Sequence, residues 1–147
     1  MTNKTYATVL EIYNSNIGSE HLYKRDCCKS MVYTDGIMDF AEVLGSHWLI
    51  DMVFSYMDKV VENYQKTKDY FYVVQVAVKQ NHAGYFEIYH EGYVNGEYNE
   101  HIQVVRQKIP YIDLPLNTEE KITKYKFFLE QSSDKPLRFT FMLPMER

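Results

Sequence analysis

The hydrophobic period of this chain changes once, and that change limits the folds open to it. Leu49, Ile50, Val53, Phe54, Met57, Val60, Val61 and Tyr64 hold a helical stripe. After Gln65-Lys66-Thr67-Lys68 the apolar positions Tyr70, Tyr72, Val74, Val76 and Val78 recur at every second residue, as in a strand with one buried face. Helices first and strands afterwards predict an α+β architecture, with N-terminal helices packed on one face of a four- to five-stranded antiparallel sheet. The 147 residues suit one domain, its helical part over about 5–65 and its sheet part over about 69–143.

Shorter signals fill in the order of elements. Tyr6, Val9, Leu10 and Tyr13 have helical spacing, and so do Ile37, Phe40, Ala41 and Leu44. Thr34 and Asp35 offer N-cap oxygens to the second of these helices, and Gly45 suits its end. Ser46 is expected to cap a third helix running unbroken to Gln65, with Trp48 buried as an anchor and Val53, Phe54, Met57 and Val61 facing Val74, Val76, Phe139 and Phe141. On the strand side, Asn81-His82-Ala83-Gly84 reads as a turn, 85–94 as a second strand and Asn95-Gly96 as a hairpin turn. A third strand is expected over about His101 to Ile109, with a bulge where the alternation slips between Val104 and Val105. Pro110 and Pro115 bracket an extended segment; further strands follow over 122–130 and 137–143, joined by a turn over 131–136.

Charge narrows the function classes. The net charge is −4, unevenly spread: residues 87–120 carry two basic against seven acidic groups, and 121–147 carry six basic against three. Such a balance argues against sequence-specific nucleic-acid binding and for a protein partner with a basic surface. No apolar run approaches the roughly 20 residues of a membrane span, and the N-terminus lacks an apolar leader, so a cytoplasmic protein without membrane contact is expected. Cys27 and Cys28 are adjacent, which suits two reduced thiols better than a disulfide or a zinc pair. Lys (12), Ile (9) and Asn (8) outnumber Arg, Ala and Pro (four each), a bias of A+T-rich genomes.

Catalysis needs converging groups, and the usual motifs for it are not in the sequence. His82, His90 and His101 with Glu91 could gather around zinc, but scattered histidines are normally surface residues; no metal and no cofactor are expected. Thr34, Asp35, Glu42, His47 and Asp51 offer acid/base groups near two helix starts, where capping explains them as well. A small hydrolase-like enzyme around His47 and Asp51 is the third reading, and no catalytic residue is assigned. The stronger feature is a period-2 stripe: Tyr85, Glu87, Tyr89, Glu91 and Tyr93 on one face, with Phe86 and Ile88 on the other. Tyrosine gives contact area at small entropic cost and carboxylates select a basic partner, so these residues with Glu97 and Glu100 form the candidate partner-binding surface.

Two blocks carry a resemblance. The first is Leu22-Tyr23, Tyr33-Thr34-Asp35-Gly36, Ala41-Glu42, Gly45, Trp48-Leu49 and Asp51; the second is Tyr111-Ile112-Asp113-Leu114-Pro115-Leu116 with the tail Phe141-Met142-Leu143-Pro144-Met145-Glu146. Over about residues 22–147 the chain resembles a domain-of-unknown-function family of small proteins carried by plasmids, phages and other mobile elements. The pattern departs at Leu114, where an aromatic is expected, and at Met145, where serine is; 65–100 do not align. The resemblance implies no catalytic residues. It implies a mobile-element context, in which small acidic proteins frequently inhibit host defence. The reading that follows is an anti-CRISPR protein that binds an RNA-guided effector nuclease, possessing a channel lined by Lys and Arg, and blocks its handling of guide or target. The alternative is a non-enzymatic accessory or regulatory protein of plasmid or phage maintenance.

Overall fold

A computed structural model describes residues 5–24 and 30–147. The elements run α1 (Tyr6–Ser15), β1 (Leu22–Tyr23), β2 (Met31–Thr34), α2 (Asp35–Leu44), α3 (His47–Ser55), α4 (Met57–Thr67), β3 (Phe71–Lys79), β4 (Gly84–Val94), β5 (Glu97–Ile109), β6 (Ile122–Asp134) and β7 (Leu137–Met142), then a short 3-10 turn, Pro144–Glu146. Among the described residues the strands form one seven-stranded sheet in the order β1-β2-β7-β6-β3-β4-β5. The α+β class is as expected. The sheet is larger than four to five strands and is mixed, because β2 pairs with β7 in parallel while the other pairs are antiparallel. β2 was hidden in the sequence because its four residues lead straight into α2, where the capping signal dominates.

The helices cover one face. Ile37, Phe40 and Leu44 of α2, Ile50 and Val53 of α3, and Met57 and Val60 of α4 join Tyr72, Val74, Val76, Phe86, Ile88, Phe127, Phe139 and Phe141 in one core. Val53 and Met57 are buried as expected, whereas Phe54 and Val61 lie at its margin. Trp48, in the first turn of α3, is partly buried and packs against the core, which Leu49 and Ile50 beside it enter fully. No helix among the described residues is long and apolar enough to cross a membrane. Cys27 and Cys28 lie outside the described residues.

Local chemistry sets the helix ends. Thr34 accepts from the Ile37 N–H at 3.4 Å, and Gly45 closes α2 at φ +63°, where a side chain is disfavoured. Ser46 does not cap α3 with its side chain; its hydroxyl donates back to the Phe40 carbonyl at 3.3 Å. The helix expected to be continuous from Ser46 to Gln65 breaks at Tyr56, whose N–H bonds to Val53 O at 3.1 Å in a tightened turn. The Tyr56 ring stacks on Phe86 and its hydroxyl donates to Gln107 Oε1, so the break ties the helices to β4 and β5.

Strand bounds also differ from expectation. β5 begins at Glu97 rather than near His101, and β6 continues to Asp134, leaving a turn of two residues before β7.

A candidate interaction surface on β4 and β5

The β4–β5 hairpin outgrows the sheet. β3 pairs with β4 from Gly84 to Tyr89; beyond Tyr89, β4 has only β5 beside it among the described residues. Asn95 (φ +53°) and Gly96 (φ +83°) make the left-handed two-residue turn this dipeptide favours. The result is a two-stranded arm. Tyr93 and Tyr98 oppose each other on it, ring centroids 5.5 Å apart, and are 76% and 51% exposed. Glu91, Glu97 and Glu100 are exposed, and no Lys or Arg occurs between Lys79 and Arg106. The arm is therefore acidic without internal compensation. A hydrogen bond to Glu91, then burial and the charges of Glu91 and Glu100, push the Tyr98 hydroxyl up to about 12.

The rest of the expected stripe sits elsewhere. A register shift between His90 and Gly92 separates Tyr93 from Tyr85, Glu87 and Tyr89, which lie over the body of the sheet on the face away from the helices. Glu87 points to that face yet is only 1% exposed. His101 Nε2 lies 2.9 Å from its Oε2 and the Arg106 guanidinium 3.8 Å, while its Oε1 has no hydrogen-bond partner among the described residues. Arg106 also lies over the Tyr85 ring at 3.8 Å, and His101 stacks on Tyr89 with centroids 3.8 Å apart. Burial, then the charge of Glu87, raises the Tyr89 hydroxyl pKa. Sequence reasoning missed His101 and Arg106 as members of this cluster.

The other candidates do not converge. His90 faces the helices, 3% exposed, with Asp69 at 2.6 Å from Nδ1 and the Asn63 amide at 3.2 Å from Nε2. Both ring nitrogens are engaged, so the imidazole has none left for a substrate proton. His82 Nδ1 bonds to the Ile112 carbonyl, and His101 lies on the opposite face from His90. Among the described residues no three His, Cys, Asp or Glu side chains could share a metal ion. His47 and Asp51 lie on the exposed side of α3, one turn apart.

The two resemblance blocks meet at the start of α2. The Glu146 carboxylate accepts from the Thr34 hydroxyl at 2.6 Å, the Gly36 N–H at 3.0 Å and the Leu143 N–H at 2.9 Å. A side chain at Gly36 would collide with that carboxylate and with Leu143. Asp35 accepts from the N–H groups of Glu20 and His21 and from the Tyr23 hydroxyl. Ile112 and Leu114 are buried beside the Tyr125 hydroxyl, which donates to the Pro115 carbonyl. These blocks hold the fold together and line no cleft with convergent chemistry.

No curated protein and no solved structure matches the chain. A family description does, over residues 8–147, which is nearly the whole length. The chain belongs to the family of unknown function designated DUF6876.

Proposed function

We propose that this protein works by binding, and that the acidic arm of β4 and β5 is what it presents to a basic surface on a protein partner. One observation carries the reading: Tyr93 and Tyr98 stand exposed on a two-stranded arm whose charged side chains, Glu91, Glu97 and Glu100, are all acidic. Paired tyrosines supply contact area with few rotors to freeze, and uncompensated carboxylates steer the arm towards cations. The partner class expected from the sequence, an RNA-guided CRISPR effector, presents such cations where guide and target run. The anti-CRISPR reading rests on that complementarity and on the resemblance to mobile-element proteins. Glu87 supports the arm's base and does not reach the partner.

The test is a mixing experiment with purified effectors from A+T-rich bacteria, read by complex formation and by cleavage. Paired substitutions Glu97→Lys and Glu100→Lys should slow association, and more so at low salt. Tyr93→Ala with Tyr98→Ala should mainly speed dissociation. A folded charge-reversed protein that binds at undiminished strength removes the arm from the interface. If no effector binds, the anti-CRISPR reading fails and a partner in plasmid or phage maintenance takes its place.

A further inference from the structure

The outer face of the sheet has the opposite charge to the arm. Cross-strand pairing puts Lys126, Gln75, Glu87 and Arg106 in one row and Lys124, Ala77, Tyr85 and Lys108 in the next. Directly opposed residues share a face, so two columns of cations result, Lys124 with Lys126 on β6 and Arg106 with Lys108 on β5. Ordinary sheet spacing puts the columns about 14 Å apart and the members of each about 7 Å apart. Glu87 is the one carboxylate in these rows, and it is buried beside Arg106 and His101. Lys108, Lys124 and Lys126 are exposed and make no ion pair with a described residue.

Planar groups lie between and beside the columns. The Arg106 guanidinium covers the Tyr85 ring at 3.8 Å, and the His101 and Tyr89 rings are stacked at 16° to one another. Between the columns Gln75, Ala77 and Glu87 are buried beneath their neighbours, so the groups a ligand meets are the lysines, Arg106 and the planar rings. Cations along both sides and flat π-surfaces between them are the two requirements for holding an unpaired polynucleotide. An acidic peptide could use the lysines but would leave the planar pairs idle.

We propose that this face binds single-stranded nucleic acid without sequence preference, phosphates along the cation columns and bases on the planar pairs. What a ligand meets is the local field, and in these rows four cations face one buried carboxylate, so a chain of net negative charge still offers phosphates a basic surface. The site uses none of the tyrosines and glutamates that the arm presents, Tyr93, Tyr98, Glu91, Glu97 and Glu100, so separate variants test the two proposals.

Fluorescence anisotropy of the full chain with a labelled oligonucleotide tests it. Binding should weaken with salt at a log–log slope of about −3, as for four phosphates on a single strand. Lys124→Glu with Lys126→Glu should lower affinity at least tenfold and flatten that slope. Tyr89→Ala should weaken binding with the slope kept, which a purely ionic site would not show. The arm variant Glu97→Lys/Glu100→Lys should not weaken binding. The far-ultraviolet dichroism of each variant must match the parent for it to count. Absence of binding at about 50 mM salt, where phosphate contacts are strong, overturns the proposal. So does binding indifferent to Lys124 and Lys126, or polyglutamate competing as well as the oligonucleotide with Tyr89→Ala neutral, which would assign the face to an acidic protein.

Discussion

Thr34 and Glu146 are 112 positions apart in the chain and 2.6 Å apart in space, hydroxyl to carboxylate. Thr34 caps α2 with the same oxygen, and Glu146 takes the Gly36 N–H beside it, so the Pro144–Glu146 turn closes over a helix start. Hydrogen bonds to a charged acceptor contribute about 1.5–3 kcal/mol, and stranding two backbone donors costs more than losing their partner alone. Glu146→Ala should therefore destabilise by about 3 kcal/mol in chemical denaturation. Gly36→Ala should be comparably damaging, because its methyl group collides with the Glu146 carboxylate and Leu143. Destabilisation below about 0.5 kcal/mol, the range of ordinary surface changes, would show that the tail does not clamp α2.

Asp35 links stability to acid. Burial would raise its carboxyl pKa, but hydrogen bonds from the Tyr23 hydroxyl, the Glu20 and His21 N–H groups and the His21 ring outweigh it and hold the group below its usual value. A depressed folded-state pKa gives stability that is present above the unfolded value, near 3.9, and lost as pH falls through the folded one. The denaturation midpoint should thus fall as pH drops below about 4. Asp35→Asn should lower stability at neutral pH and flatten that acid limb. A parallel pH profile for both proteins would refute the assignment.

Tyrosine ionisation reads the structure from the alkaline side. Burial holds the hydroxyls of Tyr13 and Tyr125 well above the usual range, and the Glu91 hydrogen bond pushes Tyr98 up to about 12. A raised folded-state value contributes stability below the unfolded pKa of about 10 and loses it as pH rises through the folded one. Absorbance titration near 295 nm should show a late class of phenols, Tyr13 and Tyr125 among them, that ionises only with unfolding. Tyr98→Phe should remove one late phenol without altering Tyr13 or Tyr125. If all tyrosines titrate together below unfolding, the Tyr98–Glu91 contact is not formed in solution.

Core positions separate full from partial burial. Phe127 is fully buried and touches the rings of Phe40, Tyr13 and Phe141, so Phe127→Ala should cost about 3–5 kcal/mol. Trp48, partly buried against the core, should cost less than Phe127 on the same change, since part of its surface is already in water in the folded state. Equal losses at both positions in urea denaturation would contradict this ordering.

How far the sequence reaches is clearest in the β4–β5 hairpin. The Asn95-Gly96 turn was legible, and it alone would set Glu87 opposite Val104. The observed partner is Arg106, because two register shifts each add a residue to β5. Only the slip at Val104 left a trace in the alternation. The shift beside His90 fell in a segment of polar residues on both faces, where no apolar phase marks the register. That is why the stripe read as one surface and folds as two, with Glu87 beneath His101 and Arg106 and the remaining carboxylates on the arm. β1 and β2 escaped for a different reason: both are very short, β2 is held by β7, far away in sequence, and β1 is held only by β2, so local propensity marks neither.

Glu87 and the arm glutamates should consequently answer charge reversal in opposite ways. Glu87→Lys puts a cation at a position 1% exposed, next to Arg106 and His101, and removes the carboxylate those two groups share. Breaking a buried ion pair from one side leaves an uncompensated charge, at a cost of about 3–5 kcal/mol. Glu87→Gln keeps the shape and one acceptor, so its cost should be smaller. Glu97→Lys and Glu100→Lys change exposed residues on the arm and should stay within about 0.5 kcal/mol. Denaturation of the four variants measures this directly. A Glu87→Lys protein as stable as the parent would mean that the carboxylate sits in water, and Glu87 would then rejoin the arm as part of the surface a basic partner meets.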